Sequence, residues 1–538
     1  MKVAYTRKRS CYFSFRLVLL SFLFLSFNCE FRAQQNFPLD RDAVLPYDHI
    51  LNSKNSDFHT DVKPFLVSEM LPFNDSAIHF KHYSARQVPD SVLRRATWRV
   101  DFRPRNCEVS GGYDLKNHNY LMDVYGTAGL NLYYKTKLAI SLNYMGGDGI
   151  FPSYVDSSIR STRVIPGVGS AYRSGNAYSY QDYFGYLSYS PNRVFNFQLG
   201  KDKNFFGDGY RSMFLSDNAA NYPFFKIQVH VWKIKWVNLF TKMTDASTPT
   251  GLQQDFRKKY ASMQYLSWNA TKRISLSLFE TIVWQGNDTN RVRGFDINYM
   301  NPVLFLRPTE YSLGSPDNAL LGGSFKVKLP LQLQLYGQVL FDEFVLNELE
   351  AHNGWWGNKF SVQAGLKAFD LFGIRNLYMQ GEFNYVRPYT YTHGSVQQNY
   401  GHYNQALADP FGANFEEVVG ILNYRTGRFI VELKGVGAMT GLDTGRSNVG
   451  QNIFLSYLTR TGGNDPAHDY GHHMGDGLKT YIGTADFRLA YLILPSMNLK
   501  AELGFTYHTQ ISVGYKPVDA IIFEFGIKTS LYNTYHDY

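Results

Sequence analysis

The chain is poor in cysteine, with 3 in 538 residues, and two of them, Cys11 and Cys29, fall in an amino-terminal stretch that reads as a removable export signal. Cys107 is then left alone, which rules out an internal disulfide, so hydrogen bonding and packing must hold the fold. An excess of one charge is also scarce. The whole chain carries +9, and loss of residues 1–33 takes away six basic residues and one acid, leaving +4. So mild a surplus, with no basic cluster, gives no footing for nucleic acid as a partner. Beyond the amino terminus no run of about 18 apolar residues occurs, which excludes membrane-spanning helices. No nucleophile elbow or Gly-rich phosphate loop is present. Ser324, His230 and the His472/His473 pair are too scattered to compose a hydrolytic triad. These absences argue against an enzyme, and nothing calls for a cofactor.

Aromatic residues are plentiful: 40 Tyr and 41 Phe, with 45 Gly beside them. Tyr joins an apolar ring to a polar hydroxyl, which suits the level where lipid meets water. A two-residue rhythm is equally abundant. Leu331-Gln332-Leu333-Gln334-Leu335-Tyr336-Gly337-Gln338-Val339 sets apolar groups on one face and amides on the other, and comparable segments recur from Lys226, Phe325, Phe429 and Ile521. A strand that is greasy on one face and wet on the other fits a sheet with lipid outside and water inside. The segments run roughly 10 residues between turn signals, the length a tilted strand needs to cross hydrocarbon. Only a closed barrel pairs every backbone group there. The expected fold is therefore all-β, a transmembrane antiparallel outer-membrane β-barrel.

Three regions are expected. Residues 1–33 form the signal, with Lys2, Arg7, Lys8 and Arg9 ahead of an apolar stretch from Leu17 to Phe27 and Ala33 before the cleavage point. Residues 34–96, broken by Pro38, Pro46, Pro64, Pro72 and Pro89, read as a periplasmic extension or partial plug with short helical turns at Ser53–Val62 and Asp90–Arg95. Residues 97–538 supply the barrel. About 17 segments alternate clearly, beginning with Asn119–Ala128 paired to Leu130–Tyr144, and an even count predicts about 18 strands. Thr97–Arg103 or Gly294–Tyr299 would supply the missing one. Short turns such as Ser190-Pro191-Asn192 contrast with long stretches at 146–177, 286–317, 389–411 and 440–476, which places the long loops at the cell exterior.

Charges within the alternating segments must face the lumen. Lys226, Lys326, Lys328, Glu432, Lys434, Glu524 and Lys528 point opposite to apolar neighbours, where they would either set the selectivity of a channel or brace the interior as ion pairs. Bracing is preferred, because the extension and the loops offer material to block a pore. The stretch Asp465 to Asp476 gathers His468, His472 and His473, weak metal candidates without a consensus spacing, so a solvated loop is expected and no metal. Gly207-Asp208-Gly209 forms a tight turn. Around it Asp202, Asn204, Asp208, Tyr210 and Arg211 are candidate ligand contacts, with Asp202, Asp208 and Arg211 converging on one pocket; the alternative is a latch that holds a loop to the wall. Trp355, Trp356, Tyr389, Tyr391, Tyr400 and Tyr403 would stack on sugar faces or else belong to the outer aromatic girdle.

The segment Gly200-Lys201-Asp202-Lys203-Asn204-Phe205-Phe206-Gly207-Asp208-Gly209-Tyr210-Arg211-Ser212, followed by Ser216-Asp217-Asn218-Ala219, resembles a signature of the capsule-assembly Wzi family, and in particular its gliding-motility RemB branch. Tyr299-Met300-Asn301-Pro302-Val303, Ser315-Pro316-Asp317-Asn318-Ala319-Leu320, Asp342-Glu343-Phe344, Trp355-Trp356-Gly357-Asn358-Lys359 and Arg387-Pro388-Tyr389-Thr390-Tyr391 follow in the family's order, over most of residues 97–510. The resemblance implies an outer-membrane barrel with a small helical amino-terminal part. Its capsule branch implies attachment of surface polysaccharide, and its gliding branch a surface-exposed motility accessory or adhesin. The expected partners are outer-membrane lipid, surface polysaccharide, and motility or secretion machinery. The competing reading is a diffusion channel for small solutes.

Overall fold

The computed structural model describes residues 34–70, 98–102, 106–247, 253–288, 291–301 and 317–538. The expected signal over residues 1–33 and the helical turn at 90–95 lie outside the described residues. Eighteen antiparallel strands close into one barrel: β1 (Cys107–Asp114), β2 (Asn119–Tyr134), β3 (Leu138–Ile150), β4 (Ala177–Tyr189), β5 (Phe195–Asp202), β6 (Tyr222–Val231), β7 (Ile234–Asp245), β8 (Arg257–Trp268) and β9 (Ile274–Gln285). The second half comprises β10 (Asn318–Lys328), β11 (Leu333–Glu343), β12 (Lys359–Ala368), β13 (Leu377–Val386), β14 (Phe415–Thr426), β15 (Phe429–Leu442), β16 (Leu478–Leu494), β17 (Leu499–Ser512) and β18 (Val518–Thr529). Neighbours in sequence pair throughout, and β18 pairs with β1 from Ile522 opposite Asp114 to Thr529 opposite Cys107. That seam removes the last free sheet edge.

Three expectations are corrected. The strand missing from the alternation count is β1, whose Ser110, Gly111 and Gly112 blur the two-residue pattern. Trp98–Phe102 is an additional strand that extends the position of β1 along the far end of β2, from Trp98 opposite Tyr134 to Phe102 opposite Leu130, while Ile297–Met300 is a 3-10 turn. The first hairpin turns at 135–137 rather than at Gly129, because that glycine sits within β2 opposite Asn143. The longer of two helices in the amino-terminal segment is α1 (Arg41–Leu51), upstream of Ser53–Val62 and with Pro46 inside it; a single turn follows at Val67–Met70. Proline removes the N–H that would bond the Asp42 carbonyl, and the Arg425 guanidinium of β14 donates to that carbonyl instead at 3.0 Å.

Alternation sorts the side chains as two solvents require. Along β17, Lys500, Glu502, Gly504, Thr506 and His508 face inward, whereas Leu503 and Tyr507 are exposed on the outer face. Phe525 of β18, at 67%, and Val418 of β14, at 58%, are exposed beside polar inward neighbours. Trp232 and Trp268 at the short-turn end, with Tyr120 and Tyr515 at the other, are exposed rings near the two rims. The inward charges form a ladder. Arg488 lies opposite Glu432 on one side and Gly504 on the other, and Gly504 in turn lies opposite Glu524. A methyl on Gly504 would come within 2.3 Å of the Arg488 guanidinium. The bare glycine lets Arg488 cross a whole strand to bond Glu524 at 2.7 Å.

Candidate functional site

The signature segment lies in the connection between β5 and β6, which dips into the lumen. Gly207 takes φ 141°, and a methyl there would stand 2.4 Å from the Gln338 amide nitrogen, so only glycine fits both backbone and neighbour. Gln338 itself donates to the Phe206 carbonyl at 3.2 Å and accepts from the Met213 amide at 2.7 Å. An amide of the rhythm on β11 thus pins the inner loop. Glu382 of β13 accepts from the Tyr210 and Arg211 amides at 2.7 and 3.0 Å. Arg211 is wholly buried, bonded to Asp537 at 2.9 Å and Glu417 of β14 at 3.2 Å, with Asp409 at 3.8 Å. Its guanidinium also lies 4.8 Å over Tyr210 and 5.0 Å over Tyr535. Burial alone would raise the Asp537 carboxyl, yet Arg211 and Lys434 hold it below the usual carboxylate range. Burial and the neighbouring Glu417 push Asp409 the other way, well above it.

Three chain segments fill the lumen together. The first, residues 34–70, carries α1, whose Arg41 bonds Glu432 at 2.7 Å and whose Asp42 pairs with Lys500. Further along it, Lys326 donates to Thr60 at 2.6 Å, Lys328 to the carbonyls of Ser53 and Ser56 at 3.1 and 2.7 Å, and Lys235 to Glu69 at 2.9 Å. The second is the inner loop, joined to the first by a ladder pairing Val62 with Phe206. The third is the carboxyl-terminal stretch after β18, where Tyr532 bonds Asp202 at 2.5 Å, Tyr535 bonds Asp217 at 2.7 Å and Lys434 bonds Asp537 at 2.9 Å. Burial, with Asp42 adding its charge, raises the Asp40 carboxyl at the start of α1 to about 7.

The structure separates residues that sequence reasoning placed at one pocket. Asp202 meets Tyr532, Asp208 meets Thr60 at 2.5 Å and Lys326 at 3.6 Å, and Arg211 meets Asp537 and Glu417, so the three do not converge. Asn204 accepts from Lys226 at 2.9 Å, and the Tyr210 hydroxyl donates to Asp537 at 2.6 Å. Of the remaining lumen charges, Glu524 meets Arg488 at 2.7 Å and Lys528 meets Glu502 at 2.6 Å. Each of these groups already has a protein partner. Sequence reasoning missed the partners Glu382, Glu417, Asp409 and Asp537. The inward face of β13 and β14 could have revealed the two glutamates, whereas nothing periodic marks Asp409 or the tail.

Above the lumen the long loops interlock. The Trp356 amide donates to the Asp469 carbonyl at 2.9 Å, its indole lies 4.6 Å under the Arg460 guanidinium, and Tyr457 packs on it at 4.8 Å. Trp355 and Trp356 are half-buried. Tyr389 and Tyr391 are buried, their hydroxyls donating to the carbonyls of Asn448 at 2.7 Å and Met213 at 2.8 Å, and Tyr400 is buried with its hydroxyl on Phe214. Their rings therefore serve neither an open sugar platform nor the girdle; they knit the roof to the inner loop. Tyr403 is half-buried against Phe256. His468 meets the Gly462 carbonyl at 2.6 Å, His472 the His468 carbonyl at 2.9 Å, and the His473 amide donates to Asp476 at 2.8 Å. Among the described residues no group of three or more His, Cys, Asp or Glu could hold a metal ion.

This architecture is that of an outer-membrane β-barrel: strands with an apolar exterior, rings of aromatics at both ends, short turns at one end and long loops at the other. No family model and no curated protein matches the chain. Among solved structures it is similar to Wzi of Escherichia coli, described as an outer membrane protein involved in group 1 capsule assembly and a carbohydrate-binding β-barrel, with a TM-score of 0.57 at 12% identity over 93% of this chain and 100% of that one. OprD of Pseudomonas aeruginosa also matches, with a TM-score of 0.42 at 8% identity over 80% of this chain and 94% of that one.

Proposed function

We propose that the protein is a non-enzymatic outer-membrane barrel that holds surface polysaccharide at the cell exterior. The observation that carries this reading is the lumen packed by three segments, each tied to the wall by charged and hydrogen-bonded pairs such as Arg211–Asp537 at 2.9 Å. A wall so occupied does the work of a scaffold for its outer loops. The carbohydrate-binding neighbour with the same barrel and the signature segment support the same view. A role in motility or adhesion would use the same loop surface with a different partner.

A diffusion channel is the second reading, favoured by one feature. A cavity of about 260 Å³ lies between α1, the carboxyl-terminal stretch and strands β15 to β18, with Asp486, Arg488, Glu502, Glu524 and Lys528 in its lining. Planar-bilayer recordings separate the two. A sealed barrel, with polysaccharide shed into the medium by cells lacking the protein, is the result expected here. Size-dependent solute flux with polysaccharide retained overturns it.

A further inference from the structure

The exterior connection between β11 and β12 carries large apolar side chains on the outside of the barrel. Leu335, Val339 and Phe341 make up the lipid-facing stripe of β11. The stripe continues past the end of the strand: Phe344 is 38% exposed, Val345 42%, Leu346 55% and Leu349 36%. A single exposed apolar residue is ordinary on any protein surface. Four of them between positions 344 and 349, contiguous with a face already in hydrocarbon, form a patch that calls for an apolar partner.

The rings tie this patch to the rim of the barrel. Phe344 meets Phe341 edge-on at 5.0 Å and Phe360 of β12 at 6.5 Å, and Phe360 packs at 6.2 Å on Tyr385 of β13. Outward aromatics at a strand end mark the level where lipid gives way to water. The Arg387 guanidinium lies 5.7 Å over Phe360 and donates to the Trp355 carbonyl at 3.3 Å, so a cation of the rim also reaches the roof. Beyond Phe344, residues Leu346–Glu350 form one helical turn, α2. Leu346 and Leu349, three apart, share a face of it, while Asn347 points away from them. Glu348 is drawn off that face by the Asn353 amide at 2.5 Å. Asn353 continues into the roof, its side-chain oxygen accepting from the Trp355 amide at 3.0 Å and its carbonyl from the Gly471 amide at 2.9 Å.

We infer that α2 lies in the interface of the outer leaflet, with Phe344, Val345, Leu346 and Leu349 sunk among lipid chains, and that it anchors the roof to the bilayer. Continuity with the lipid-facing stripe of β11 fixes lipid as the occupant, whatever the exterior loops bind. The test reconstitutes the full chain in phosphatidylcholine vesicles with a nitroxide at Leu346→Cys, Leu349→Cys or Asn347→Cys; the parent, whose Cys107 is buried, is the blank. Power-saturation EPR compares collisions with oxygen, which concentrates in lipid, and with a nickel chelate, which stays in water. Oxygen collisions at 346 and 349 should exceed nickel collisions at least about threefold, as for side chains about 5–10 Å into the headgroup and acyl boundary, and position 347 should show the reverse. Nickel collisions dominating at 346 and 349 would place the turn in water and overturn the inference. Labels there shielded from both reagents would place protein on the face, a second copy or another chain, and overturn it equally.

Discussion

Replacing Arg211 by methionine isolates what holds the plug. The side chain is fully buried and joins the inner loop to Glu417 on β14 and Asp537 on the carboxyl-terminal stretch. Methionine keeps most of the volume and removes the charge. Asp537 retains Lys434 at 2.9 Å, whereas Glu417 is left with the Asn384 amide at 2.7 Å. Breaking a buried ion pair by deleting one partner costs about 3–5 kcal/mol, because the survivor stays charged in a poor solvent. The remaining Lys434 contact argues for about 3 kcal/mol, the lower end of that range. Urea unfolding followed by tryptophan fluorescence reads the stability, and planar-bilayer conductance reads the seal, which should begin to leak. Adding Glu417→Gln should recover at least about 1 kcal/mol by removing the stranded carboxylate. A single variant within about 0.5 kcal/mol of the parent and equally sealed would refute the reasoning, since substitutions away from special features fall in that band.

Lipid-facing register is checked by depth: Leu503→Arg, near the middle of β17, should cost about 2–4 kcal/mol, and Ile511→Arg, near its end, about 0–1 kcal/mol, in bilayer-embedded unfolding; equal costs would place the membrane wrongly. Gly207→Val should loosen the inner loop, seen as protease cutting within 203–221, because its φ of 141° and the Gln338 amide, which would stand 2.4 Å from an added Cβ, both resist a side chain. Asp40 titrates at about 7 in the fold and near 3.8 when unfolded. The folded state therefore binds the extra proton, so the contribution is full below pH 3.8 and is lost as pH rises through 7. Asp40→Asn should flatten that slope in unfolding measured from pH 4 to 8. An unchanged slope would assign it to other groups.

The barrel was legible wherever alternation was unbroken: Lys326 and Lys328 on β10, Glu432 and Lys434 on β15, and Glu524 and Lys528 on β18 all point inward as a two-residue period demands. It failed where glycine interrupts the pattern, as at Gly111-Gly112 in β1 and Gly129 in β2, since a residue without a side chain declares no face. The plug was harder still. Pro46 made α1 read as a break, and the partners of Arg211 lie more than 190 residues away in the chain, at Asp409, Glu417 and Asp537, a separation no local pattern encodes. Rings expected on the outside, Tyr389 and Tyr391, turned out to be joints beneath the roof.

The proline in α1 has one more consequence. A helix with a vacant rung loses on the order of 3 kcal/mol, and here the missing donor is lent by Arg425, a residue nearly four hundred positions downstream on strand β14 of the barrel wall. The segment is therefore expected to coil only while housed. Synthesised alone in buffer it should show no helical circular dichroism, and its shape belongs jointly to the peptide and the cylinder that receives it.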